Sequence, residues 1–109
     1  MNSKAYKSYE ISKNEYQELK YFCLRYEEMR QTVEKSEKQS KKYWNCCISI
    51  TMIGDALKRA TDNEVIRAHL QLAVTTNTPY ERLGIPMGRQ QFYELRRKFF
   101  YILKTLKMG

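Results

Sequence analysis

Apolar residues recur along most of the chain at steps of three and four, interrupted by short polar stretches that carry helix-start chemistry. Ser12-Lys13-Asn14-Glu15 has the form of a capping box, in which a Ser hydroxyl and a Glu carboxylate each satisfy a backbone donor. A long helix is expected to begin there. Tyr16, Leu19, Phe22 with Cys23, Tyr26, Met29 and Val33 follow as one apolar stripe, reaching the charge-rich run Glu34 to Lys42, which reads as a loop or hinge. The first ten residues, with Tyr6 and Tyr9 among several charges, read as a partly ordered arm.

Trp44 to Leu57 gives a mixed signal. Ile48, Ile50, Thr51 and Ile53 are β-branched, but Gly54, Asp55 and Ala56 do not continue a strand, and no other segment offers a lone strand a partner. A helix is therefore expected. Thr61-Asp62-Asn63-Glu64 reads as a second capping box, after which Val65, Ile66, Leu70, Ala73 and Val74 supply an apolar face that should end near Thr75 to Asn77.

The sharpest local signal is Thr78-Pro79-Tyr80-Glu81, with an N-cap Thr, Pro at the first helical position and Glu three residues after the cap. A short helix is expected from Pro79 to about Leu83. Gly84 suits a left-handed C-terminal cap and Pro86 forbids continuation, so residues 84–88 form a turn. From Arg89 onward Phe92, Leu95, Phe99, Ile102 with Leu103, and Leu106 mark the buried face of a last helix. Phe100 and Tyr101 lie off that face, against the N-terminal helix or in a dimer seam. The expected fold is all-α: a single small helical domain over 1–109, with N-terminal helices in 12–60 and a helix-turn-helix in 62–106.

Composition narrows the function. With 109 residues there is room for one small core, and the formal net charge of +8 points to an acidic partner, most often nucleic acid. That charge is local. Between Arg82 and Lys107 seven basic side chains meet only Glu94, whereas the first 60 residues mix 12 basic with 8 acidic ones.

Little else suggests chemistry. Cys23, Cys46 and Cys47 are an odd number in a chain with no recognisable secretory leader, which favours packing in a reducing cytoplasm over disulfides. His69 is the single histidine, too few for a familiar zinc pattern, so no metal and no cofactor are expected. The Glu27–Glu28 and Asp55–Asp62 pairs lie in no catalytic motif, and no phosphate-binding glycine loop or enzyme signature is present. The longest apolar run, Cys46 to Ile53, falls far short of a membrane helix, so a soluble protein with no membrane partner is expected. Trp44, beside Lys41, Lys42 and Tyr43, reads first as a core anchor and second as a base-stacking patch.

In a helix-turn-helix the first turns of the second helix reach base edges in the major groove, and here they carry Arg89, Gln90, Gln91, Tyr93, Glu94 and Arg97. Arg suits guanine and Gln suits adenine, while Tyr93 fits a groove edge or the core equally well. Arg82, the helix-start amide near Gly88, Arg96, Lys98 and Lys104 are the candidate phosphate contacts. An ordinary solvated basic face would explain the charge, but not the proline-led helix and glycine-bounded turn just before it.

The run from Tyr80-Glu81-Arg82-Leu83-Gly84 through Gly88-Arg89-Gln90-Gln91-Phe92-Tyr93 to Arg96-Arg97-Lys98 resembles region four of bacterial sigma factors. It resembles still more closely the RinA/ArpU-type regulators of phages and prophages in Gram-positive bacteria. Glu81 and Leu83 match the acidic residue and Leu before the turn, and Gly88-Arg89 matches the small and basic pair that opens the recognition helix. Met87-Gly88 makes the turn slightly longer than usual, and Tyr93 and Glu94 stand where smaller or more basic residues are common. The N-terminal segment Glu15 to Tyr26 is similar to small phage proteins. The resemblance implies a transcriptional regulator in a bacterial cytoplasm that binds double-stranded DNA, with RNA polymerase or another host complex, or a second copy, as further partners. The competing expectation is a phage-encoded inhibitor or adaptor, such as an anti-CRISPR protein, that uses the same basic surface on a host protein or ribonucleoprotein.

Overall fold

The computed structural model describes residues 9–109, so most of the expected N-terminal arm lies outside the described residues. Among them six helices and no strand are found: α1 Lys13–Leu24, α2 Tyr26–Lys35, α3 Lys41–Ala60, α4 Glu64–Thr76, α5 Tyr80–Leu83 and α6 Arg89–Met108. The fold is all-α, as the periodicity predicts. No helix among the described residues is long and apolar enough to cross a membrane.

α1 begins at the expected box, with the Glu15 amide donating to Ser12 Oγ at 3.1 Å and the Ser12 amide to Glu15 Oε1 at 2.9 Å. The single long helix expected from it is in fact two. At Arg25 (φ −87°, ψ 5°) the ladder tightens, the Arg25 amide reaching the Phe22 carbonyl at 3.3 Å. The break has a packing reason: α1 lies against α4 and α6, α2 lies against α3, and one straight rod cannot serve both.

The loop between α2 and α3 is only residues 36–40, shorter than the charge pattern implies. Ser40 caps α3 by accepting from the Tyr43 amide at 3.1 Å, so Lys41, Lys42 and Trp44 are already helical. The β-branched run 48–53 is helix, its conformation decided by Ile53, Ala56, Leu57 and Ala60, a buried stripe at steps of three and four. Trp44 is not the core anchor expected of it. The buried half of α3 is its C-terminal half, and Trp44 and Ile48, one turn apart, are 52% and 57% exposed.

α4 starts one cap later than expected. Asn63, not Thr61, accepts from the Ile66 amide (3.0 Å), while Thr61 Oγ1 accepts from the Asn63 amide (3.2 Å). Val65, counted in the apolar face, is exposed, and the buried residues are Ile66, Leu70, Ala73 and Val74. Asn77 ends the helix in the left-handed region at φ 57°.

One continuous cluster of buried apolar residues runs through all six helices, with Cys23, Ile53, Leu70, Phe92, Phe99 and Leu103 fully enclosed. Each buried Phe or Leu side chain contributes about 1.5–3 kcal/mol relative to exposure. α6 is the axis of this core. It packs against α3 on one side and α1 on the other, which is why Phe100 is buried as well as Phe99. Phe100 meets the Tyr16 ring edge-on at 5.3 Å and is therefore not available as a dimer seam; Tyr101 meets Tyr9 at 5.6 Å.

Candidate nucleic-acid interface

The segment preceding α6 is held by a few local contacts. Pro79 occupies the cap position of α5, not its first helical position, and the helix is four residues long, shorter than a Thr78 cap would give. Thr78 Oγ1 instead lies 2.6 Å from Thr76 Oγ1. Gly84 leaves the helix at φ 65°, a left-handed conformation that costs a residue with a Cβ about 1–2 kcal/mol. Leu83 and Ile85 turn inward, 7% exposed each, and anchor the turn on the core.

Tyr80 organises the rest. Its hydroxyl donates to the Met87 carbonyl at 2.7 Å, its ring lies 5.6 Å from Phe92, and the Arg89 guanidinium sits 5.2 Å over its centroid. Glu81 accepts from Arg89 Nη2 across the turn. The Glu81 carboxyl is held below the ordinary carboxylate range by a backbone hydrogen bond and by Arg89, and Glu81 in turn raises the Arg89 guanidinium.

The eleven sequence candidates thus separate into groups. Arg89 is exposed but already ion-paired and stacked. Gln91 caps the helix: its Oε1 accepts from the Gly88 amide at 3.3 Å, which also withdraws that amide from the phosphate role expected of it. Gln90 and Glu94 are exposed, one turn apart on the solvent side of α6, with Lys98 half-buried along the next turn. Arg82 is exposed on α5.

The remaining candidates face inward, toward α1 or the turn. Tyr93 packs on Phe92 (5.2 Å) and near Tyr80 (6.5 Å), on the core side of its two expected roles. Arg96 lies over the rings of Tyr93 (4.8 Å) and Tyr16 (5.8 Å), and Arg97 Nη1 donates to the Tyr9 carbonyl at 3.5 Å. Lys104, expected among the phosphate contacts, is engaged within the fold. Its Nζ donates to Glu15 Oε1 at 3.1 Å, fastening α6 to the start of α1 and helping the Ser12 amide hold the Glu15 carboxyl below its usual range.

Sequence reading missed Tyr80, Glu81 and Tyr16 as partners of the basic residues. An acid eight positions before Arg89, across a glycine turn, was the available signal for the first pair. Elsewhere, His69 Nδ1–H donates to the Val65 carbonyl at 2.7 Å, and burial pushes the Cys23 thiol up to about 12. Among the described residues no group of three or more His, Cys, Asp or Glu gathers as metal ligands would.

No protein-family model matches the chain, and no curated protein or solved structure is significantly similar to it.

Proposed function

We propose that the protein is a DNA-binding transcriptional regulator of phage type that presents the first turns of α6 to the major groove. The supporting observation is the strip of exposed Gln90 and Glu94 with half-buried Lys98, directly behind a turn braced by Tyr80 and Gly84. The major groove, about 12 Å wide, accepts one α-helix, and Gln and Arg are the side chains that read adenine and guanine bidentately. Arg82 and Arg89 flank the strip from the turn side and suit phosphate contact. The resemblance to RinA/ArpU-type regulators points the same way.

The test is selection of retained sequences from random duplex DNA, followed by titration of the enriched site. Enrichment of a short motif whose binding weakens on Gln90→Ala, with log affinity falling linearly in log salt, is the expected outcome. Retention without a motif, unchanged by Gln90→Ala, overturns sequence-specific regulation.

One observation favours a second reading, an adaptor or inhibitor bound to a host protein or ribonucleoprotein. Glu94 stands within the strip and Glu81 already neutralises Arg89, so this surface carries mixed charge, as the polar rim of a protein interface does. Co-purification of one host complex, lost on Glu94→Lys, supports that reading against the first.

A further inference from the structure

Two large apolar side chains on the first half of α3 stand away from the core. Trp44 and Ile48 are 52% and 57% exposed, and Met52, one turn further along, is half-buried. Their spacing of four residues makes one continuous row, the kind of ridge by which helices most often pack on helices. The row borders a depression of about 350 Å³ to which α6 contributes Leu106. Single exposed apolar residues are ordinary on a protein surface, but a row that contains a Trp and lies beside its own groove marks an interaction surface.

The charges around the row indicate what covers it. Lys41 lies three residues before Trp44, and Asp55 three residues after Met52. Both are exposed, and neither forms an ion pair among the described residues. Ile48 stands midway, seven residues from each. An antiparallel second copy of α3 that crosses the first at Ile48 therefore sets Ile48 against Ile48, Trp44 against Met52 and Lys41 against Asp55. A two-fold axis through that crossing repeats the last two contacts.

Other alignments lose this match. A parallel pairing brings Lys41 to Lys41 and Asp55 to Asp55, like charges at both ends. Sliding the antiparallel copy by one turn brings Lys41 to Lys58 and Trp44 to Asp55; sliding it the other way carries Asp55 past Lys41, where the opposing helix begins. We propose that the protein forms a two-fold dimer through this face of α3, antiparallel and centred on Ile48. The row, its flanks and Leu106 make a small interface, so the dimer is weak, with a Kd on the order of 10–100 µM. It does not depend on the DNA-binding reading, because Leu106 lies about 24 Å along α6 from Gln90.

The experiment is sedimentation equilibrium of the full chain from about 5 to 500 µM, with acrylamide quenching of Trp44, the one Trp, measured in parallel. A monomer–dimer equilibrium is expected, with quenching that falls as the dimer fills. Ile48→Glu, which puts two charges at the axis, should raise the Kd at least about tenfold. Lys41→Glu and Asp55→Lys each set like charges face to face and should each raise it about fivefold or more. These two reversals move the net charge in opposite directions, so overall repulsion cannot produce both losses. Combined, they should bring the Kd back to within about twofold of the wild type. All three positions are exposed, and far-UV circular dichroism of the dilute variants checks that each stays folded. A monomer at the highest concentration overturns the proposal and leaves the face to a different protein, and growth beyond two copies overturns the two-fold closure. A dimer indifferent to Ile48→Glu overturns the face; one that Ile48→Glu breaks but the combined reversals do not restore overturns the antiparallel register.

Discussion

The Tyr80 hydroxyl donates to the Met87 carbonyl at 2.7 Å, closing the seven-residue path from α5 to the residue before the cap of α6. The bond matters because it occupies the carbonyl of Met87, which lies in the turn before α6, and because the same ring supports Phe92 and Arg89. Tyr80→Phe isolates the hydroxyl, since the ring and its stacking remain. A loss of about 1 kcal/mol is expected, read as a melting temperature about 4–8 °C lower. An unchanged melting temperature would show that water serves Met87 equally well.

Gly84 tests the other brace of that turn. A Cβ built there meets nothing within 4 Å, so the cost of Gly84→Ala comes only from the backbone at φ 65°. Denaturant unfolding should show a loss of about 1–2 kcal/mol for Ala. Asn, which tolerates the left-handed region better, should lose less.

Trp44 and Phe99 separate the two faces of the core argument. Phe99 is fully buried at the centre of α6, so Phe99→Ala should cost about 3–5 kcal/mol, a large share of a small domain's stability. Trp44 is 52% exposed, so Trp44→Ala should stay within about 0.5 kcal/mol. As the chain's one Trp, it should also emit as a water-exposed indole and be open to a soluble quencher.

Trp44 and Phe100 show what the sequence could and could not reveal. Cap chemistry is local, so Ser12 with Glu15 and the left-handed Gly84 were legible from a few neighbouring residues. Which side of a helix is buried, and how far that side extends, depends on its neighbours. Phe100 is enclosed because α6 lies between α1 and α3, and Trp44 is exposed because the C-terminal half of α3 is the part that enters the core. The candidate site suffered most from long-range pairing. Lys104 meets Glu15 from 89 positions away, and Arg96 meets Tyr16 from another helix, contacts that no local pattern encodes.

Acid should release the two cross-element ion pairs. Glu15 and Glu81 are both held below the ordinary carboxylate value of 4.5, so each favours the folded state in full above that value. The contribution is lost as pH falls through the lower folded values. Melting temperatures of the wild type and of a Glu15→Gln, Glu81→Gln variant should therefore differ at neutral pH and converge below 4.5. Both carboxylates are exposed enough for the neutral-pH difference to be small and to shrink further in high salt. A gap that persists at low pH would assign the variant's loss to the cap hydrogen bonds instead.

The Glu81–Arg89 pair gives the sharpest test of the proposed DNA contact, because it makes opposite predictions for its two members. Arg89 can approach a phosphate or base only while Glu81 competes for the same guanidinium. Glu81→Gln removes that competitor and a negative charge beside the strip. It should tighten binding to an enriched duplex and steepen the salt dependence. Arg89→Ala should weaken binding by about 1–3 kcal/mol if the side chain reads a base, with the loss confined to the enriched sequence. An equal loss on every duplex would make it a phosphate contact. In the Glu81→Gln, Arg89→Ala double variant the gain from Glu81→Gln should largely vanish, since that gain acts through Arg89. A gain that survives intact would mean that Glu81 repels the duplex directly and that Arg89 serves only to hold the turn.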